Sequence, residues 1–165
     1  KIKTELMDLH HSIYKKFNYE MKYMRPPCGE FSEKSLDITK RMGYKKIGLA
    51  FCVGLSKEAN VFAKILASHG FEVESLICKV GSVNREKIGI EGCKVPMCNP
   101  IAQAKYLNEE KTDFNVVLGL CVGHDTLFFK YSEAPVTVFA VKDRVLAHNP
   151  LGAIYQADSY YKGKL

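Results

Sequence analysis

Apolar positions along the chain follow two rhythms. Near the start, Ile2, Leu6, Leu9, Ile13 and Phe17 recur every three or four residues, the stripe of an amphipathic helix that should run to about Met24. Arg25-Pro26-Pro27-Cys28-Gly29 breaks it, and a second helix is expected from about Ser32 to Met42, stopped at Gly43. From Lys46 onward the apolar residues fall instead into short, nearly continuous runs, as in strands covered on both faces. These runs predict strands over Lys46–Cys52, Phe71–Cys78, Phe114–Cys121 and Pro135–Val141, with a short fifth at Val145–Ala147. Helices should alternate with them. Ser56 is expected to cap one, with Ala59, Phe62, Ala63 and Leu66 on one face and His69-Gly70 at its end. Asn99-Pro100 should open a second to about Asn108, Asp125 should cap a third through Lys130, and His148-Asn149-Pro150 should open the last. Residues 79–97 read as a long polar loop.

Alternating strands and helices predict an α/β fold: a three-layer, doubly wound (Rossmann- or flavodoxin-like), mostly parallel sheet of four or five strands. The expectation is one domain, with residues 1–43 a helical N-terminal extension and 44–165 the sheet-containing core. A strand order of 2-1-3-4 would set the first and third strands side by side at the topological switch point, where such folds bind ligands.

Composition narrows the function. With 47% hydrophobic and 25% charged residues, the chain reads as an ordinary globular protein. Its net charge of +6 comes from scattered basic residues without interleaved aromatics, so no nucleic-acid partner is expected. No apolar run approaches the roughly 20 residues needed to cross a bilayer, and no membrane partner is expected. The N-terminus lacks the order of a secretion signal. Six cysteines without such a signal point to reduced thiols in the cytoplasm, and to metal or catalysis before disulfides.

The chemistry gathers around a repeated phrase. Phe51-Cys52-Val53-Gly54 and Leu120-Cys121-Val122-Gly123 each end an apolar run in a cysteine and turn through a glycine. Cys78 ends another strand, and Cys98 precedes the Asn99-Pro100 helix start. A helix N-terminus lowers the pKa of a nearby thiol, and thiolate is the form that binds metal or attacks an electrophile. A single buried cysteine is ordinarily a small apolar filler. Four at one sheet edge (Cys52, Cys78, Cys98 and Cys121) are a candidate metal site, for an iron–sulfur cluster or alternatively zinc. His124 and Asp125 add a titratable pair beside Cys121, with His124 a candidate proton carrier and Asp125 also a plain helix cap. Lys142-Asp143-Arg144 and His148 read as an ordinary charged turn, although Lys142 or Arg144 could hold an anion. His10 and His11 read as surface histidines. Dinucleotide, phosphate-loop, nucleophile-elbow and His-Glu-x-x-His signatures are all absent from the sequence.

Several stretches in order resemble the family known as domain of unknown function 1847, whose members are labelled as metal-binding. They are Gly43-Tyr44-Lys45-Lys46-Ile47-Gly48, Phe51-Cys52-Val53-Gly54-Leu55, Cys78-Lys79-Val80-Gly81 and Met97-Cys98-Asn99-Pro100-Ile101-Ala102-Gln103-Ala104. Leu120-Cys121-Val122-Gly123-His124-Asp125, Ala134-Pro135-Val136-Thr137, Lys142-Asp143-Arg144-Val145 and His148-Asn149-Pro150 continue the series. The resemblance covers about residues 42–155. It implies a metal, although many members also begin with a short cysteine-rich segment, and here only Cys28 precedes Cys52.

The leading expectation is therefore a cytoplasmic metal-binding domain with a small molecule or redox partner, one ligand position being open to a small substrate. The alternatives are a metal-free thiol enzyme using Cys121 or Cys52 with His124 as base, and a module holding a small anion at helix N-termini.

Overall fold

The computed structural model describes residues 39–40, 42–92 and 95–164. The chain divides into two units, 1–44 and 45–165, and the sheet lies in the second. The expected helix over 2–24, most of the one over 32–42, and Cys28 and Cys93 fall outside the described residues.

The second unit is built on a parallel sheet of four strands, β1 (Lys46–Phe51), β2 (Glu72–Ile77), β3 (Phe114–Leu118) and β4 (Val136–Ala140), in the order 2-1-3-4. Among the described residues four α-helices accompany it: α1 (Ser56–Ser68), α2 (Pro100–Glu109), α3 (His124–Tyr131) and α4 (Leu151–Tyr155). This is the expected Rossmann/flavodoxin-like arrangement. The central pair is the most buried: Ile47, Leu49 and Ala50 of β1 and Val116, Val117 and Leu118 of β3 are all withdrawn from solvent. Continuous apolar runs suit strands covered by helices on both faces.

The elements begin and end for local reasons. Asn99 caps α2, its Oδ1 accepting from the Ala102 N–H at 3.0 Å, and Pro100 occupies the first turn, where its missing N–H costs nothing. β3 ends at Leu118 because Gly119 turns to φ +66°, and a Cβ there would also overlap Leu55 Cδ1. The long loop after β2 contains two short 3₁₀ turns, Val80–Ser82 and Arg85–Ile88, and Asn84 pairs with Pro96 in an isolated bridge.

Val145–Ala147, expected as a fifth strand, is instead a turn. Asp143 Oδ1 accepts from the N–H groups of Val145 and Leu146 at 2.9 Å each, and Ala147 and His148 are left-handed. An aspartate that captures the amides two and three residues on favours a turn over an extended ladder.

Candidate functional site

The site lies at the carboxyl edge of the sheet, where the chain leaves β1, β2 and β3. Cys52 follows β1, and its N–H donates to Leu118 O at 3.1 Å, holding it beside the end of β3. Its backbone is extended, and its Sγ accepts from the Gly54 N–H at 3.4 Å, so the thiol caps the 3₁₀ turn Val53–Leu55. That capping role was expected of Ser56. The intervening turn displaces Ser56 into the helix, where its Oγ donates back to Val53 O at 2.7 Å.

Cys78 follows β2 in the same manner. Its N–H donates to Phe51 O at 2.8 Å, and its Sγ accepts from the Val53 N–H at 3.4 Å. The segment before α2 is tied to it by the Asn99 N–H, which donates to Cys78 O at 2.7 Å. This brings Cys98 Sγ to 3.7 Å from Cys78 Sγ. Cys121 lies just past the Gly119 turn, and its carbonyl accepts from the N–H groups of His124 and Asp125 as α3 opens. All four cysteines are free thiols, Cys52 and Cys78 buried and Cys98 and Cys121 half-buried.

Together with His124 and Gln103, these four thiols line one pocket. About 190 Å³ separates its walls, counted out to open solvent, and no part is wide enough for a water molecule. Its floor is continuous with an apolar cluster that includes Ala50, Leu107, Leu120 and Phe128. His124 thus stands where a proton carrier was expected. Asp125 does not reach the pocket: its Oδ1 accepts from the N–H groups of Gly123 and Thr126 at 2.9 and 2.8 Å.

Two further side chains attend this edge: Lys142, read from the sequence as a turn residue that could hold an anion, and Gln103, which the sequence did not single out. Lys142, two residues beyond β4, donates a hydrogen bond from Nζ to Cys52 Sγ. Gln103, on the first turn of α2, is fully buried, and its Nε2 donates to Leu76 O at 2.7 Å and Phe51 O at 3.3 Å. Those two bonds fix the amide's orientation and leave Oε1 an acceptor with no partner among the described residues. The available signals were position alone: Lys142 follows a strand end on the cysteine edge, and Gln103 follows a cap by one helical turn.

The thiols differ in their ionisation. Burial acts to raise the Cys52 pKa, but the Lys142 ammonium and the Gly54 N–H outweigh it and hold the thiol below its ordinary value. Lys142 responds in kind: burial would lower its pKa, and the bond and charge of Cys52, with Cys121 nearby, raise it. Cys78 is pushed up to about 11, chiefly by burial, with the neighbouring Cys98 and Cys52 adding to the rise. The pocket therefore holds one thiol, Cys52, favoured to ionise by its ammonium beside another, Cys78, held neutral by burial.

Among the described residues, no three or more His, Cys, Asp or Glu side chains stand as a ready-made metal-binding group. No described helix is long and apolar enough to cross a membrane.

Two comparisons place the chain among known proteins. The model of the family described as "protein of unknown function (DUF1847)" matches residues 17–139, which include all four pocket cysteines. An uncharacterised protein of Methanocaldococcus jannaschii is 50% identical over 158 residues, spanning 93% of this chain and 77% of that relative. The chain belongs to the DUF1847 family.

Proposed function

We propose that this is a metal-binding protein whose ion is held by the thiolates of Cys52, Cys78, Cys98 and Cys121. The observation that carries the reading is their convergence on one pocket from four separate segments. The Cys78–Cys98 separation supports it. Two thiolates on one tetrahedral ion, at metal–sulfur distances of about 2.3 Å, lie about 3.8 Å apart, and these two sulfurs are 3.7 Å apart. An iron–sulfur cluster is the other chemistry four cysteines suit. A cubane cluster binds each cysteine through a different iron and spreads the sulfurs further, so this spacing favours two thiolates on one metal, a single ion such as zinc or one iron of a two-iron cluster.

A bound cation would supply Lewis acidity and offset the repulsion among four thiolates. Lys142 would keep donating to Cys52 Sγ from outside the ligand set, reducing the charge on that ligand. His124 would serve as proton carrier to whatever small molecule reaches the site. Such thiolate chemistry suits a reducing compartment, the cytoplasm.

The Lys142–Cys52 contact favours a second reading, metal-free chemistry with Cys52 as nucleophile, since an adjacent ammonium activates a thiol. Against it, Cys52 is only 2% exposed.

Purification without oxygen, followed by metal analysis and a visible spectrum, separates these readings. Stoichiometric zinc in a colourless protein is the expected result. Iron with sulfide and a brown colour would keep the ligands and change the cofactor. A metal-free protein that also fails to take up zinc or iron would contradict the metal reading.

A further inference from the structure

We infer that Cys78 and Cys98 form a dithiol redox site that reduces low-molecular-weight disulfides by closing into a disulfide bond. The inference is independent of the metal reading, although both use the same two sulfurs and so exclude each other at any moment.

Geometry carries it. The sulfurs stand 3.7 Å apart, and bond formation at about 2.05 Å requires them to close by roughly 1.7 Å. The Asn99 N–H bond to Cys78 O at 2.7 Å ties the two segments together beside the sulfurs. The two cysteines also divide the labour that exchange requires. Cys98 is half-buried and partly open to solvent, whereas Cys78 is 3% exposed and stands beside it. Cys98 is therefore the entry thiol and Cys78 the resolving one.

The reaction balances with the small disulfide, RS–SR, as the oxidant. The Cys98 thiolate attacks one sulfur of RS–SR, forming a mixed disulfide and expelling RS⁻, which takes a proton from water. Cys78 Sγ then attacks Cys98 Sγ, its proton passing to water. The second RS⁻ leaves and is protonated, and the Cys78–Cys98 bond remains. The protein loses two electrons and two protons, and RS–SR becomes two RSH.

The test uses the full chain, stripped of metal by a chelator and incubated without oxygen with oxidised glutathione. Intact mass and peptide mapping are the readouts. The expected product is lighter by two hydrogens and links the Cys78 and Cys98 peptides. Cys78→Ser should instead accumulate a glutathione adduct on Cys98. A wild-type chain that does not react, that stops at the adduct, or that links another pair overturns the inference. Repeating the incubation after zinc loading tests the metal reading separately: protection supports it, and unchanged oxidation contradicts it without affecting the dithiol.

Discussion

Cys52 and Cys78 sit a few ångströms apart at the same sheet edge, yet their surroundings drive them in opposite directions. Burial raises both, and only Cys52 has an ammonium to offset it. The signs give two tests on metal-free protein. A thiol with a raised folded pKa stabilises the fold below its ordinary value and loses that contribution as pH climbs through the folded value. Cys78 should therefore cost the protein about 2 kcal/mol of stability between pH 9 and 11, a loss that urea unfolding should show to be absent in Cys78→Ala. A slope shared by both proteins would show that Cys78 is not its source. Cys52 has the opposite sign: its thiolate stabilises above the ordinary thiol value and loses that contribution as pH falls through the lowered one. Thiolate absorbance should accordingly appear below the ordinary thiol range in the wild type. In Lys142→Met that onset should move up by about one pH unit or more, since the strongest group opposing burial is then gone and the Gly54 N–H offsets burial only in part. An unmoved onset would mean that Lys142 does not ionise Cys52.

Single elements show what local pattern can and cannot reveal. The cap at Asn99 is legible because the signal is local, a side chain bonding the amide three residues on. Asn99→Ala should cost about 1 kcal/mol in unfolding free energy; no loss would deny the cap. Gly48 is different. It lies inside β1 in extended backbone, and nothing nearby in sequence demands glycine. The reason is Asn115 on β3, whose Oδ1 occupies the space a Cβ would need. That amide is fully buried and fixed, accepting from Thr112 Oγ1 and donating to Ser132 Oγ at 2.8 Å each. Gly48→Ala should lower stability by about 2–3 kcal/mol, read from the urea midpoint, and an unchanged midpoint would refute the packing argument. Ser56 and Val145–Ala147 were misread for a related reason. A three-residue turn before α1 and an aspartate's grip on two amides are decided by competition between neighbouring bonds, which periodicity does not register.

At the scale of the whole molecule, the order 2-1-3-4 turns dispersed cysteines into one site. Cys52, Cys78 and Cys121 could be assigned to one edge from the sequence because each follows an apolar run, and parallel strands all end on the same side. Cys98 joins them through Asn99, whose backbone reaches the end of β2. Lys142 was legible only as a cation within reach of the rim, and its thiol partner was not: it leaves β4, beyond β3, and meets Cys52 at the end of β1 only through the length of its side chain. Gln103 likewise needs the packing of α2 on the sheet before its amide can find the strand-end carbonyls. The pattern of the chain thus located the edge, and tertiary packing decided which charged and polar groups attend the thiols there.

The most direct test of the four-thiolate centre is X-ray absorption at the metal edge, on full-length protein loaded with one equivalent of zinc and dialysed. The account predicts a metal retained in a shell of three or four sulfurs at about 2.3 Å. A shell of oxygen and nitrogen alone, or zinc lost on dialysis, would contradict it.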